Sequence, residues 1–119
     1  MKNILIVDDL ATERQKITGI LQDAGWIVST ASNGEEALAL AKTIQPKLIF
    51  MDIIMPNMDG YQTCRKLMQD AATKMIPVVF VSTKNQRADH VWAKMQGARD
   101  LIGKPYQDEQ VLDALKYAA

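Results

Sequence analysis

A chain of 119 residues, 48% hydrophobic and 24% charged, has the balance of one globular domain that buries a core without a disulfide or structural metal. Fourteen Lys and Arg against fourteen Asp and Glu leave no net charge, so nucleic acid and anionic membranes gain no bulk attraction. The one cysteine suits a reducing cytoplasm, no apolar run nears the roughly 18 residues of a bilayer span, and "MKNILIVDD" offers no signal-peptide cleavage site, so a soluble cytoplasmic domain is expected.

"NILIV" (Asn3–Val7) reads as a first strand, closed by Asp8 and Asp9. A helix is expected from Thr12, with Gln15 as its capping-box partner. Leu10, Ile17, Ile20, Leu21 and Ala24 recur at helical spacing, and Gly25 stops the run. "WIVSTA" (Trp26–Ala31) is a second strand. Asn33 caps the next helix with Glu36 at the right offset; Ala37, Leu40, Ala41 and Ile44 face inward and Pro46 ends it. "KLIFMD" is a third strand, apolar until Asp52, and the loop "IIMPNMDG" is dense in turn residues. A third helix from Gly60 buries Tyr61, Cys64, Leu67 and Met68. "PVVFVS" (Pro77–Ser82) is a fourth strand, and "NQRADHVWAKMQG" a helix with Ala88, Val91 and Met95 on its apolar stripe. "RDLIG" is a short fifth strand, and a last helix from Gln107 turns Val111, Leu112, Leu115 and Ala118 inward.

Strands alternating with helices, the central strands apolar on both faces, predict an α/β fold. The expected form is a doubly wound five-stranded parallel sheet in the order 2-1-3-4-5. All strand C-terminal ends then share one edge, where ligands bind. Strand one brings Asp8 and Asp9 there, strand three Asp52, strand four Ser82 and Thr83, strand five Lys104 and Pro105. An isolated carboxylate at the end of a buried strand is costly, and several crowded together repel. Mg2+, which takes carboxylate oxygens together with a substrate phosphate, removes that repulsion. A carboxylate in such a site can attack phosphorus and hold the group as an acyl phosphate. Lys104 would neutralise charge and the Ser82 hydroxyl donate to a phosphoryl oxygen. Asp52 is read as the nucleophile.

With Asp8-Asp9, Asp52 in "DIIMPNMDG", Ser82 closing "PVVFVS" and Lys104-Pro105, the sequence resembles the receiver domains of two-component response regulators, the CheY-like family with a flavodoxin-like fold. The resemblance covers essentially all of the chain. It implies one receiver domain over residues 1–119 without an output domain, a phosphoacceptor rather than an enzyme with a substrate of its own. It also implies that the phosphohistidine of a histidine kinase or histidine phosphotransfer domain donates to Asp52. Mg2+ would be held by Asp9, Asp52 and the backbone carbonyl of Ile54, with Asp8 acting through water. Lys104 would pair with the phosphoryl group and its bond to Pro105 would be cis. Phosphorylation would pull Ser82 inward and re-model the surface of helix four, strand five and helix five, which a downstream protein target reads. The stretch "VSTKNQRADHVWAKMQGARD" is similar to the PilH-type single-domain receivers of type IV pilus twitching systems. A chemotaxis-type receiver and a phosphoryl sink for a shared kinase are the alternatives. A monomer is expected, with no partner among nucleic acids or membranes.

Three residues depart from the family pattern. Leu101 stands where many members carry Tyr or Phe, so an aromatic rotation is not the expected switch. Thr83 replaces the usual Ala or Gly, narrowing access for water, and Ile54 adds apolar bulk two residues after Asp52; both point to slow self-hydrolysis. Elsewhere the bland readings prevail. Cys64 is a buried small hydrophobe, His90 is solvated and so no phosphohistidine donor, and Met55 and Met58 flank the site. Trp92 lies off its helix's apolar stripe, either a partner anchor or packed on a loop. A phosphatase with an Asp nucleophile would want a second acid where Ile54 stands, and a cap. A flavin carrier would want a Ser/Thr/Gly-rich loop where Asp8-Asp9 stand.

Overall fold

The computed structural model describes residues 2–119. In chain order it contains β1 (Asn3–Val7), α1 (Ala11–Asp23), β2 (Ile27–Ala31), α2 (Gly34–Ile44) and β3 (Leu48–Met51). There follow α3 (Gly60–Gln69), β4 (Val78–Ser82), α4 (Arg87–Met95), β5 (Asp100–Gly103) and α5 (Asp108–Asp113), which tightens into a 3-10 turn over Ala114–Ala118. The strands form one parallel sheet in the order β2-β1-β3-β4-β5, as the alternation of elements predicts.

Alternate residues of each strand serve opposite faces, and two cores result. Leu5, Val7, Ile49, Met51, Val78, Phe80 and Leu101 pack beneath Ala37 and Ala41 of α2, Cys64 and Leu67 of α3 and Ala93 of α4. Ile4, Ile6, Leu48, Phe50, Val79, Val81 and Ile102 pack against Ile17 and Leu21 of α1, Val111 of α5 and Ala114 of the 3-10 turn. Burying each of the larger side chains contributes about 1.5–3 kcal/mol, so the central strands are the rigid platform under the site.

The Asn33 cap is present: its Oδ1 accepts the Glu36 N–H at 2.8 Å. The expected cap at Thr12 is not. Asp8 Oδ1 accepts the Leu10 N–H at 3.0 Å and the Arg14 N–H reaches the Leu10 carbonyl, so α1 is already turning at Ala11. Leu10 and Ala24 consequently lie outside the stripe and face solvent, as does Leu112 in α5.

The larger correction concerns α4. Its apolar stripe, Ala88, Val91 and Met95, points outward with Trp92, while Asp89 and Ala93 are the buried positions. Ala93 is small enough to bring the helix close to the sheet. Asp89 is tolerated inside because its carboxylate takes the Lys84 ammonium at 3.1 Å, the Gln86 N–H at 3.1 Å and the Tyr61 hydroxyl at 3.2 Å. Burial works to raise the Asp89 carboxyl, but Lys84, Gln86 and Tyr61 outweigh it and hold the group below its ordinary value.

Candidate functional site

Parallel register assembles the acids. Val7 of β1 lies opposite Met51 of β3, so the next residues, Asp8 and Asp52, leave the sheet side by side. The Asp52 N–H donates to the Val7 carbonyl at 2.9 Å and the Asp8 N–H to the Ala31 carbonyl at 3.1 Å, fixing both backbones as they emerge. Asp8 and Asp52 are buried and Asp9 is exposed, and one carboxylate oxygen from each lies within 4.8 Å of the others.

From the far side of the edge comes Lys104. Its N–H continues the β4–β5 ladder to the Ser82 carbonyl at 3.0 Å, and the side chain crosses β4 to the acids. The ammonium lies 2.9 Å from Asp8 Oδ2 and 3.1 Å from Asp52 Oδ2. The Lys104–Pro105 bond is cis. Burial pushes the Asp8 carboxyl up, with the Asp52 charge adding to it, against the Leu10 N–H and Lys104. Burial works to lower the Lys104 ammonium, and the two acids more than reverse it.

The β3–α3 loop closes the site from above. The Ile54 N–H donates to Asp52 Oδ1 at 3.2 Å while its side chain stands 55% exposed at the rim. Asn57 turns the loop at φ 70°, a conformation Asn accepts more readily than most residues. Gly60 packs its Cα so closely on the Asp52 carbonyl and on Ile53 that no side chain fits there.

Ser82 is buried, and its hydroxyl accepts the Lys84 N–H at 3.1 Å; no hydrogen bond among the described residues joins it to the acids. Thr83 beside it is exposed and Leu101 is buried in the core. Cys64 is buried and its thiol is pushed up to about 12 by burial, which leaves it inert. His90 is exposed, and Trp92 is exposed rather than packed on a loop.

One residue that the sequence did not single out also touches the site. Glu13, in the first turn of α1, brings Oε2 to 3.8 Å from the Lys104 ammonium. Its signal was its place one helical turn past Asp9, on the side of α1 that starts at the pocket. Tyr61 packs edge-on against Phe80, with centroids 5.4 Å apart, and carries a hydroxyl to Asp89. Burial and the Asp89 charge push that hydroxyl up to about 12.

The donor set suits a hard divalent cation. Carboxylate oxygens outnumber the one ammonium among them, no thiolate or imidazole competes, and the exposed Asp9 leaves the cluster open to water.

Acids just past β1 and β3 thus face a lysine just past β5 at one edge of a parallel 2-1-3-4-5 sheet. The family model described as "Response regulator receiver domain" matches residues 4–116, and the chain belongs to that family. It is 46% identical over 115 residues to "Protein PilH" of Pseudomonas aeruginosa, covering 97% of this chain and 95% of PilH. "Protein PilG" of the same organism is 35% identical over 113 residues, covering 95% of this chain and 84% of PilG. Among solved structures, the Vibrio cholerae chemotaxis protein CheY4 superposes with a TM-score of 0.92 at 32% identity, covering 100% of this chain and 99% of that one.

Proposed function

We propose that this receiver accepts a phosphoryl group on Asp52 and signals by protein contact, within a twitching-motility pathway of the kind suggested by its PilH likeness. The observation that carries the reading is the Asp52 carboxylate, buried beside Asp8 and bonded through Oδ2 to Lys104 at 3.1 Å. A chemotaxis-type setting is the second reading, favoured by the likeness to CheY4.

The donor is the phosphohistidine of a histidine kinase or phosphotransfer domain. The N–P bond breaks, an O–P bond to Asp52 forms, and the imidazole nitrogen keeps the electron pair and takes up a proton. Asp9, Asp52 and the Ile54 carbonyl are the ligands we assign to Mg2+, with Asp8 acting through water. When bound, the ion supplies charge neutralisation for the transferring phosphoryl oxygens. Lys104 neutralises a further oxygen, and the Ser82 hydroxyl, whose oxygen accepts the Lys84 N–H, donates its own proton to another. Ile54 and Thr83 at the rim restrict attacking water. The chain works as a cytoplasmic receiver, a reading supported by its likeness to PilH.

Incubation with Mg2+ and a small acyl-phosphate donor is expected to add one phosphoryl to the intact mass, and a chelator to prevent it. Uptake unaffected by the chelator would contradict the metal assignment.

The outward stripe of α4 is assigned to the downstream target. Trp92 is 49% and Met95 67% exposed, and an apolar patch with an aromatic anchor is the usual energetic centre of a contact. Trp92→Ala is expected to alter stability by less than about 0.5 kcal/mol, since the side chain supports no core. Phosphoryl uptake should stay at the wild-type rate while motility output falls; loss of both together would place Trp92 in folding rather than output.

A further inference from the structure

Lys104 stands among more carboxylates than the metal assignment uses. Its ammonium pairs with Asp8 at 2.9 Å, Asp52 at 3.1 Å and Glu13 at 3.8 Å, and the side chain is only 10% exposed. Asp8 and Asp52 are also members of the acid cluster that suits a divalent cation. The same carboxylates therefore serve two cations that repel each other. A dication settling on them must move the ammonium, and a charge so little exposed cannot simply be released without a new partner. Among the described residues, Glu13 is the one other carboxylate that pairs with Lys104.

Glu13 is held where that exchange requires it. Arg14 donates from Nη1 to the Asp8 carbonyl at 2.6 Å, tying the first turn of α1 to the pocket. One turn further on, the Lys16 ammonium lies 4.4 Å from the ring centroid of Tyr106, two residues past Lys104. Through Glu13 and Lys16 the same face of α1 thus meets the segment of Lys104 and Tyr106 at two points. The Glu13 side chain is 28% exposed, so water reaches it before the exchange.

Resting on the metal reading above, we infer that Glu13 is a positioning residue: it receives the Lys104 ammonium when a divalent cation occupies Asp8, Asp9 and Asp52. Cation entry is then an exchange of partners, and Lys104 stays near the pocket to meet the phosphoryl group.

The test is calorimetric titration of Mg2+ into the full chain as wild type, Glu13→Gln, Lys104→Met, the double variant and Asp9→Ala. Glu13→Gln is expected to weaken Mg2+ about three- to fivefold, the upper part of the range of a partly exposed ion pair. In the Lys104→Met background the same change is expected to shift affinity less than about twofold, because the coupling has lost its second member. Equal weakening in both backgrounds would make Glu13 a general source of negative potential and overturn the exchange. No weakening with Lys104 present would overturn it too. Asp9→Ala separates the two levels: wild-type affinity there would overturn the metal site itself, whereas lost affinity there with an unaffected Glu13→Gln would overturn only the role of Glu13. Circular dichroism of each variant, and a Glu13→Asp variant that keeps the charge and restores affinity in part, exclude a folding defect as the cause.

Discussion

Asp52→Asn is expected to take up no phosphoryl group from a small donor while folding as the wild type does. The amide loses the nucleophilic oxygen charge but keeps the local geometry. An amide oxygen can still accept the Ile54 N–H that Asp52 Oδ1 accepts at 3.2 Å, and the backbone bond to Val7 is untouched. The energetic question is whether Lys104 is stranded. Removing one partner of a buried ion pair typically costs about 3–5 kcal/mol when the other charge is left alone. Lys104 is not left alone, because Asp8 remains at 2.9 Å, and loss of the Asp52 charge relieves repulsion against Asp8. The net change in stability is therefore expected within about 1 kcal/mol, read by chemical denaturation without metal. A drop beyond about 3 kcal/mol would mean that Asp52, not Asp8, anchors Lys104. A mass adduct on the variant at the wild-type rate would move the phosphoacceptor to another residue.

The strands and the acids were legible in the sequence for one physical reason. Central parallel strands are apolar on both faces, so Asp8, Asp52 and Lys104 stand out as polar interruptions at their ends, and parallel register brings those ends to one edge. The α4 helix was illegible by the same logic. Its apolar residues Ala88, Val91 and Met95 face out, while Asp89 faces in with partners from Lys84, Gln86 and Tyr61 that no helical period reveals. Glu13 was hidden as an ordinary acid in a first turn, and the reach of its side chain to Lys104 depends on how α1 lies beside α5 and the residues that follow β5. Tyr61 read as core filler, which its ring is, but its hydroxyl joins α3 to α4. With Leu101 buried and paired to Phe80 across β4 and β5, the aromatic contact in this region comes from α3 instead: Tyr61 stacks edge-on upon Phe80 and bonds to the first turn of α4.

Gly60→Ala is expected to be the most damaging small substitution near the site. Gly60 opens α3 directly behind the Asp59 cap, and its N–H donates to the Ile53 carbonyl at 2.7 Å. A Cβ there would collide with the Asp52 carbonyl oxygen and stand 2.8 Å from the Ile53 Cα. Both obstacles are backbone, so no rotamer change relieves them; either α3 or the loop after Asp52 must shift. Overpacking against a core costs about 1–3 kcal/mol, and a forced backbone shift puts this position at or above the upper end. The displaced segment carries Asp52 and Ile54, so Mg2+ affinity and phosphoryl uptake should each fall at least about tenfold, since misplacement near 1 Å suffices for losses of that size. Gly19→Ala is the internal control. Gly19 lies exposed within α1, nothing stands within 4 Å of the added Cβ, and helix propensity alone predicts a gain of about 0.5–1 kcal/mol. Denaturation and Mg2+ titration of the two variants side by side separate the loss of a glycine's freedom from the loss of its space. Wild-type affinity in Gly60→Ala would mean that the loop holding Asp52 yields without disturbing its carboxylate, and the tight packing of α3 would then have no part in holding the site.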